Sequence, residues 1–600
     1  EPRQIVDEIV DRFFLYEDLR GTADSAGEAR ERALAEAGRE FDLTQAPLFR
    51  TTLFRAAADD HFLVFNMHHI ISDGWSLDII IGELLELYRT CRAGDNPALA
   101  PLRIQYRDYA RWQNDRIVDD EMDGEKRYWV ERFGDVIPVL DLPADAPRPV
   151  VQSFRGAIAQ FELPGDVSTA IRELARRHET SLFMACTAAV KILLYRYTGS
   201  EDIVVGAPVA GRNHPDLGDQ VGFFVNMLAL RDRLAASDPA ADVIGRVKST
   251  IETALDHSSY PFDLLVEELD LDRDMGRNPL FDVVVSFRDA AAQVEPIAGL
   301  DVEPVPFQPE ISKFDLTFFF EENGDGSIGL AIEYSTDLYR SERIQRMADH
   351  LHELVRSMAR NPAANIGSLD IQTRSERIRL LSDFNRTATD YPREATVTGL
   401  FEEQVRRVPD RTAAVCRKDR FDYRQLNNLS NQVAAVIRTR VDLREEEPVG
   451  ILLERSSWTA VAALAVLKAG GVYLPLDPAY PAERLAFITG ETGCRLVLTG
   501  SEHVNTLRSL RPGLVAIDLA SLPLDGDVVT PDPESRGTAN SLAYIMFTSG
   551  STGRPKGVQI ENRSIIRLVR NTNYIRLSQQ ECILQASSLA FDASTFEIWG

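Results

Sequence analysis

Apolar runs of strand length alternate along this chain with helical repeats, and that alternation limits the fold more than any other feature. The first clear pair begins with HFLVFNMHH, from His61, a continuous apolar run of the kind a buried strand shows. The loop IISDGW follows, and then Leu77, Ile80, Ile81, Leu84, Leu85 and Tyr88 recur at i, i+3, i+4 spacing. The spacing predicts a helix capped by Ser76, with its apolar face packed on the sheet.

The alternation continues to the far end. A second helical stretch starts at IQYRDYARWQ and leads to YWVERF, with a lobe boundary near residue 120. GAIAQFELP then reads as a strand, VSTAIRELARRHETSLFMACTAAVKILLYRYTG as one long helix, and DIVVGAPVA, VGFFVNMLALR and LFDVVVSF as further strands. FDLTFFFEE and SIGLAIEYS flank NGDG, a hairpin signal because Asn and Gly tolerate positive φ. The helix SERIQRMADHLHELVRSMA closes this part, and 361–393 reads as an ordered connector. From 394 onward, helices such as WTAVAALAVLKAGG alternate with PVGILLE, CRLVLTG and LAYIMFTSG, the pattern of an open α/β sheet.

Since 600 residues exceed what one hydrophobic core serves, the expectation is a multidomain α/β chain with units at 1–120, 121–360 and 394–600. A 44% hydrophobic share supplies cores for all of them. A formal net charge of -26, with no Lys/Arg run among aromatics, argues against nucleic acid as a partner. The most apolar helix reaches Lys468 after ten residues, far short of the roughly 20 that span a bilayer, so no membrane association is expected. Five scattered cysteines without CxxC pairing suit a reducing cytoplasm. The chain starts without Met and ends at FEIWG in an apolar run, so both ends are expected to cut through folded units.

Three constellations carry chemistry. In NMHHIISDGWS, His68 and His69 stand at a strand end, where an imidazole facing a cleft accepts a proton or orients an amine. Successive strand residues face opposite sides, so one histidine works and the other supports; His69 is the better candidate. Gly74 would permit a sharp turn into the helix, and Asp73 would bond loop amides or an arginine. Taken alone, such a pair more often packs than reacts.

In YIMFTSGSTGRPKGV a strand enters a loop suited to phosphate. Glycines Gly550 and Gly553 let amides turn toward an anion, Thr548, Ser549, Ser551 and Thr552 add hydroxyls, and Lys556 adds a charge. It is not a P-loop: Pro555 stands where that pattern needs Gly, and Gly557 follows the Lys where Ser or Thr is required. In LAFDASTFEIW, Asp592 is the one acid before Glu597, and two roles are equally open to it. Buried in a pocket, it would need a cationic partner such as a substrate ammonium; otherwise it caps the helix beginning near Ser594.

The strings MHHIISDGWS, YRDYARW, GAPVAGR, VGFFVNMLALR, HSSYPFD and RDMGRNPLFD, in that order, resemble a nonribosomal peptide synthetase condensation domain. FDYRQLNNLSNQVA, LKAGGVYLPLDPAYPAERL, the phosphate loop and FDAS resemble the start of its adenylation domain. The resemblance covers essentially the whole chain. It implies two chloramphenicol-acetyltransferase-like lobes followed by the N-terminal part of an acyl-adenylate-forming (ANL-type) α/β domain.

It also implies that His69 assists attack of an acceptor amine on a donor thioester, as base or by positioning, while His68, Asp73 and Gly74 hold it. Thr548, Ser549, Gly550, Ser551, Thr552, Gly553 and Lys556 would bind ATP with Mg2+, Asp592 the substrate α-ammonium, and Ala593 with Phe596 a modest apolar side chain. The implied partners are peptidyl carrier domains upstream and downstream, bearing phosphopantetheine, and an amino acid substrate. The family's opening motif and its later adenylation motifs are absent, so adenylation is expected to be incomplete. The alternatives are an epimerising, heterocyclising or non-catalytic carrier-binding first half, and an acyl-CoA ligase second half; an intact HHIISDG argues against degeneracy, and Asp592 against a ligase of simple acids.

Overall fold

The computed structural model describes residues 5, 13–96, 98–271, 274–288, 299–307, 310–548 and 554–600, folded into two compact units, Glu1–Asp383 and Phe384–Gly600. The first unit contains two sheets. Strands β1 (Phe14–Asp18), β2 (Phe49–Arg55) and β3 (His61–Met67) form a three-stranded sheet, with β1 parallel to β2 and β3 antiparallel to it at the edge. Strands β4 (Gly156–Glu162), β5 (Asp202–Val209), β6 (Asn226–Arg233), β7 (Val283–Arg288), β8 (Leu316–Glu322) and β9 (Ile328–Ser335) form a six-stranded mixed sheet in the order β4-β9-β8-β7-β5-β6.

The small sheet differs from expectation in two ways. Of β3 only Val64 is buried, because an edge strand in so small a sheet keeps both faces partly open. The face that does pack is taken by the helix Ser25–Ala37, whose Ala29 and Ala33 meet Phe54 and Val64. The helix Gly74–Ala93 therefore does not bury its apolar stripe: Leu77, Ile81, Leu84 and Tyr88 are exposed, and Ser76 is its one buried residue.

The six-stranded sheet carries the main core of the unit. The expected long helix is two, Gly165–Arg177 and Leu182–Thr198. Glu179 takes a left-handed φ of 51°, and the Ser181 hydroxyl accepts the Met184 N–H at 3.2 Å, so a serine that prefers capping starts a new helix. The second helix is buried nearly all round and encloses Lys191, whose ammonium donates to the Leu230 carbonyl at 2.8 Å and pairs with Asp232. Strands β8 and β9 form the hairpin expected across NGDG, with Gly326 at φ 84°. Residues from the connector also pack here: Ile366 and Leu369 belong to this core.

In the second unit, β10 (Thr412–Cys416) and β11 (Asp419–Asp422) form a small hairpin. Strands β12 (Pro448–Leu452), β13 (Val472–Pro475), β14 (Leu496–Thr499), β15 (Val515–Asp518), β16 (Leu542–Thr548) and β17 (Lys556–Glu561) form a sheet in the order β15-β14-β12-β13-β16-β17. It is parallel except for β17, which returns antiparallel beside β16. Tyr544 and Met546 of β16 join a core on one face, Ile545 and Phe547 a core on the other. Burial of both faces is why these strands read as unbroken apolar runs. Among the described residues no helix is long and apolar enough to cross a membrane.

Candidate active site

In the first unit the chain leaves β3 at Met67 and makes a short 3-10 turn, His69–Ile71, before the helix Gly74–Ala93. Two hydrogen bonds set opposite tautomers for the paired histidines. The Ile70 N–H donates to His68 Nδ1 at 3.0 Å, which puts the proton of a neutral His68 ring on Nε2. His69 Nδ1 lies 2.7 Å from the Ser72 carbonyl, and a carbonyl only accepts, so His69 carries its proton on Nδ1. In a neutral His69 ring, Nε2 is left with a free lone pair. His69 is exposed, with the Phe223 ring edge-on at 5.2 Å, while His68 is half-buried against Phe41.

Asp73 fixes the loop that presents His69. Its carboxylate accepts from the Ser76 N–H at 2.8 Å and hydroxyl at 2.7 Å, from the Phe224 N–H at 3.1 Å and from Arg212 Nη2 at 3.0 Å. Asp73 and not Ser76 is the helix cap; Ser76 stands at the third helical position, where its N–H is an orphan donor. Burial works to raise the Asp73 carboxyl, yet the Ser76, Phe224 and Arg212 donors together hold it below the usual carboxylate range. The side chains of Asp73 and Arg212 are 0% and 3% exposed, so this ion pair is sealed from water.

Arg212 is the residue sequence reasoning missed. It lies in the string GAPVAGR, and its Nη1 also donates to the carbonyls of Leu217 at 2.6 Å and Gln220 at 2.7 Å. Its guanidinium stacks over Phe224 at 4.2 Å. The 221–225 loop is held in turn from YRDYARW: the Tyr106 hydroxyl donates to the Phe223 carbonyl at 2.8 Å, and Phe224 packs edge-on against the Tyr106 ring. A Cβ at Gly222 would fall 2.2 Å from that ring, so only glycine fits. Gly74, by contrast, needs no positive φ: it is the first helical residue, and among the described residues beyond its own helix turn and chain neighbours the nearest atom to a Cβ there would be Arg288 Nη2, at 4.0 Å. The expected sharp turn is made instead by the extended Ser72 and Asp73.

In the second unit, Thr548 and Lys556 face each other as register partners at the end of the β16–β17 pair where the chain passes from one strand to the other, both exposed. Ser549, Gly550, Ser551, Thr552 and Gly553 lie outside the described residues. Asp592 is exposed and not buried. It occupies the cap position of the helix Ala593–Trp599, but its side chain makes no capping hydrogen bond. Its charge instead acts on Tyr544, whose hydroxyl is pushed up first by burial, eased by its 2.8 Å bond to Thr595 and raised again by Asp592. Ala593 is exposed on the first turn of this helix, and Phe596, one turn later, packs against Tyr574 at 6.1 Å. Among the described residues no cluster of three or more His, Cys, Asp or Glu is placed to hold a metal ion.

Residues 1–381 match the family model of the condensation domain, and 401–600 that of the AMP-binding enzyme. The chain belongs to the nonribosomal peptide synthetase family. It is 39% identical over 600 residues to gramicidin S synthase 2 of Brevibacillus brevis, covering 100% of this chain and 13% of that relative. To tyrocidine synthase 3 of Brevibacillus parabrevis it is 39% identical over 564 residues, covering 93% of this chain and 8% of that relative. The chain thus spans a small fraction of these synthetases. A four-domain nonribosomal peptide synthetase bound to AMP and glycine shares the fold over 98% of this chain and 44% of its own, with TM-score 0.78 at 23% identity. The X-domain from teicoplanin biosynthesis, in complex with OxyB, matches 61% of this chain and 80% of its own at TM-score 0.54 and 26% identity.

Proposed function

We propose that this chain is a segment of a nonribosomal peptide synthetase with two successive activities. The condensation domain, with lobes meeting near residue 120 and a connector at 361–393, joins a donor acyl or peptidyl thioester to an acceptor aminoacyl amine. Each substrate is carried on the phosphopantetheine arm of a carrier domain, one upstream and one downstream. The AMP-binding domain, from 394, activates an amino acid with ATP.

The observation that carries the first activity is the 2.7 Å bond from His69 Nδ1 to the Ser72 carbonyl, which turns Nε2 outward as a proton acceptor. An acceptor ammonium must lose a proton before it attacks, and the thioester already has a good leaving group. His69 Nε2 therefore receives or positions that proton, and Asp73, Ser76 and Arg212 keep the imidazole in place. His68 contributes by bonding the loop amide of Ile70. A non-catalytic carrier-binding first half is disfavoured by this intact, clamped loop, and an epimerising one by the direct connector into the AMP-binding domain. Replacing His69 by Ala should abolish peptide bond formation between two loaded carriers; an unchanged dipeptide yield sinks the reading.

For the second activity, Thr548, Lys556 and the 549–553 segment between them would hold the ATP phosphates, with Lys556 supplying positive charge. Mg2+ would arrive with those phosphates, as it binds through few protein oxygens. Asp592 makes no capping bond within its helix, which leaves its carboxylate for an ammonium and favours an amino acid over a simple acid; Ala593 and Phe596 would border the side chain. The free cysteines and the need for ATP agree with a cytoplasmic setting. Amino-acid-dependent pyrophosphate exchange in the full-length synthetase should be lost in Asp592→Ala; retained exchange with an acid lacking an amine would point to the ligase reading.

A further inference from the structure

Amide formation from a thioester passes through a tetrahedral adduct in which the carbonyl oxygen becomes an anion. His69 deals with the proton and leaves that charge unanswered. Arg288, the last residue of β7, reaches from the six-stranded sheet toward the loop that bears His69. Among the described residues outside its own helix turn and chain neighbours, its Nη2 is the atom nearest a Cβ built at Gly74, at 4.0 Å.

Gly74 is two residues beyond Ser72, the hydrogen-bond partner of His69, and opens the helix Gly74–Ala93. Arg288 is exposed, and its neighbour across the strand pair, Glu321, forms no ion pair with it. Among the described residues its guanidinium has no hydrogen-bond or ion-pair partner, in contrast to Arg212, Arg231 and Arg277, each paired to a carboxylate. A guanidinium without a partner among the described residues, beside a helix start where the peptide dipoles already favour negative charge and two residues from the carbonyl that holds His69, is suited to an anion.

We propose that Arg288 contacts the substrate and binds the thioester carbonyl oxygen as it becomes an oxyanion. The acceptor nitrogen bonds to the carbonyl carbon while the C=O π pair moves onto the oxygen beside Arg288. The adduct then collapses, the C–S bond breaks, and the amine proton passes through His69 Nε2 to the departing thiolate. Gly74, with no side chain, leaves the oxygen its path between the two groups.

This proposal rests on the condensation reading above, and one experiment separates them. The full chain with its upstream carrier, loaded in turn with each of the twenty L-aminoacyl groups, is offered glycyl-pantetheine as acceptor, and dipeptide is measured. No dipeptide from the unsubstituted protein with any donor overturns the condensation reading and this proposal together. With an active donor, Arg288→Gln should lower kcat about 100-fold with the acceptor KM within about twofold, the loss typical of one oxyanion donor. Arg288→Lys should recover about tenfold of that loss, and the unfolding midpoint of both variants should match the unsubstituted protein. Unchanged kcat, a raised KM at unchanged kcat, or a kcat loss that tracks a lowered unfolding midpoint each overturns the role while leaving condensation standing.

Discussion

Asp73→Ala tests whether the loop bearing His69 is held by one buried carboxylate. The substitution removes the acceptor for the Ser76 N–H and hydroxyl, the Phe224 N–H and Arg212 Nη2. Ser76 Oγ keeps its bond to the Gly222 carbonyl at 2.9 Å, and Arg212 keeps two carbonyls through Nη1, so those groups are partly compensated. The arginine charge is not, and removing one partner of a buried pair costs about 3–5 kcal/mol. Asp73→Asn keeps the shape and one acceptor oxygen but loses the charge and turns the second oxygen into an NH2 that faces either the Ser76 or the Phe224 donor; a hydrogen bond to a charged group is worth about 1.5–3 kcal/mol, which sets the scale of its cost. Urea unfolding is followed by tryptophan fluorescence, to which this loop contributes through Trp75, whose Nε1 donates to the Gly218 carbonyl at 2.9 Å. Adding Arg212→Leu to Asp73→Ala should restore more than about 1 kcal/mol, since the stranded charge is then gone. An Ala variant within about 1 kcal/mol of the unsubstituted protein, or a double variant worse than additive, refutes the clamp.

The same carboxylate predicts an acid limit. Its folded pKa lies below the ordinary 3.8, so it binds a proton less readily folded than unfolded; the stability it contributes is complete above about pH 4 and is lost as pH falls through the lowered value. Unfolding free energy measured against pH should show that loss in the unsubstituted protein and not in Asp73→Asn. Gly222→Ala should displace Tyr106 and cost about 1–3 kcal/mol in the same unfolding assay, because its Cβ would stand 2.2 Å from the ring. Iodoacetamide at neutral pH should alkylate the exposed Cys91 and Cys582 and spare Cys186 and Cys494, whose thiols burial pushes up to about 12 and about 11; mass spectrometry of tryptic peptides reads the difference.

Secondary structure was legible wherever both faces of an element are buried or one face carries a clear period. Strands β12, β14 and β16 of the second unit and the β8–β9 hairpin read correctly because burial and turn residues are local signals. The helix Gly74–Ala93 shows where that logic stops. Its period is genuine, and it fixes the helix, but periodicity says which residues share a stripe and not what covers it; the sheet face available is occupied by Ser25–Ala37. The break at His178–Ser181 was missed for a related reason, since an apolar repeat continues across a two-helix corner that one serine hydroxyl decides.

The candidate site follows a different rule. His69 and Asp73 stand in one short string, but what makes His69 an acceptor is a bond to a backbone carbonyl, and no side-chain pattern records a carbonyl. The partners of Asp73 are 139 and 151 residues away, at Arg212 and Phe224, and Phe223 is held by Tyr106 from 117 residues away. Each of those residues belongs to a string that stood out in the sequence, and in the fold the strings around 67, 106, 206 and 221 meet at one buried carboxylate. A carboxylate sealed from water needs its donors built to fit, down to a glycine at 222 that lets a tyrosine ring pass. Two distant strings therefore supply the partners of Asp73, at Arg212 and Phe224, a third braces them through Tyr106, and the imidazole they present has only a few residues of its own in the sequence.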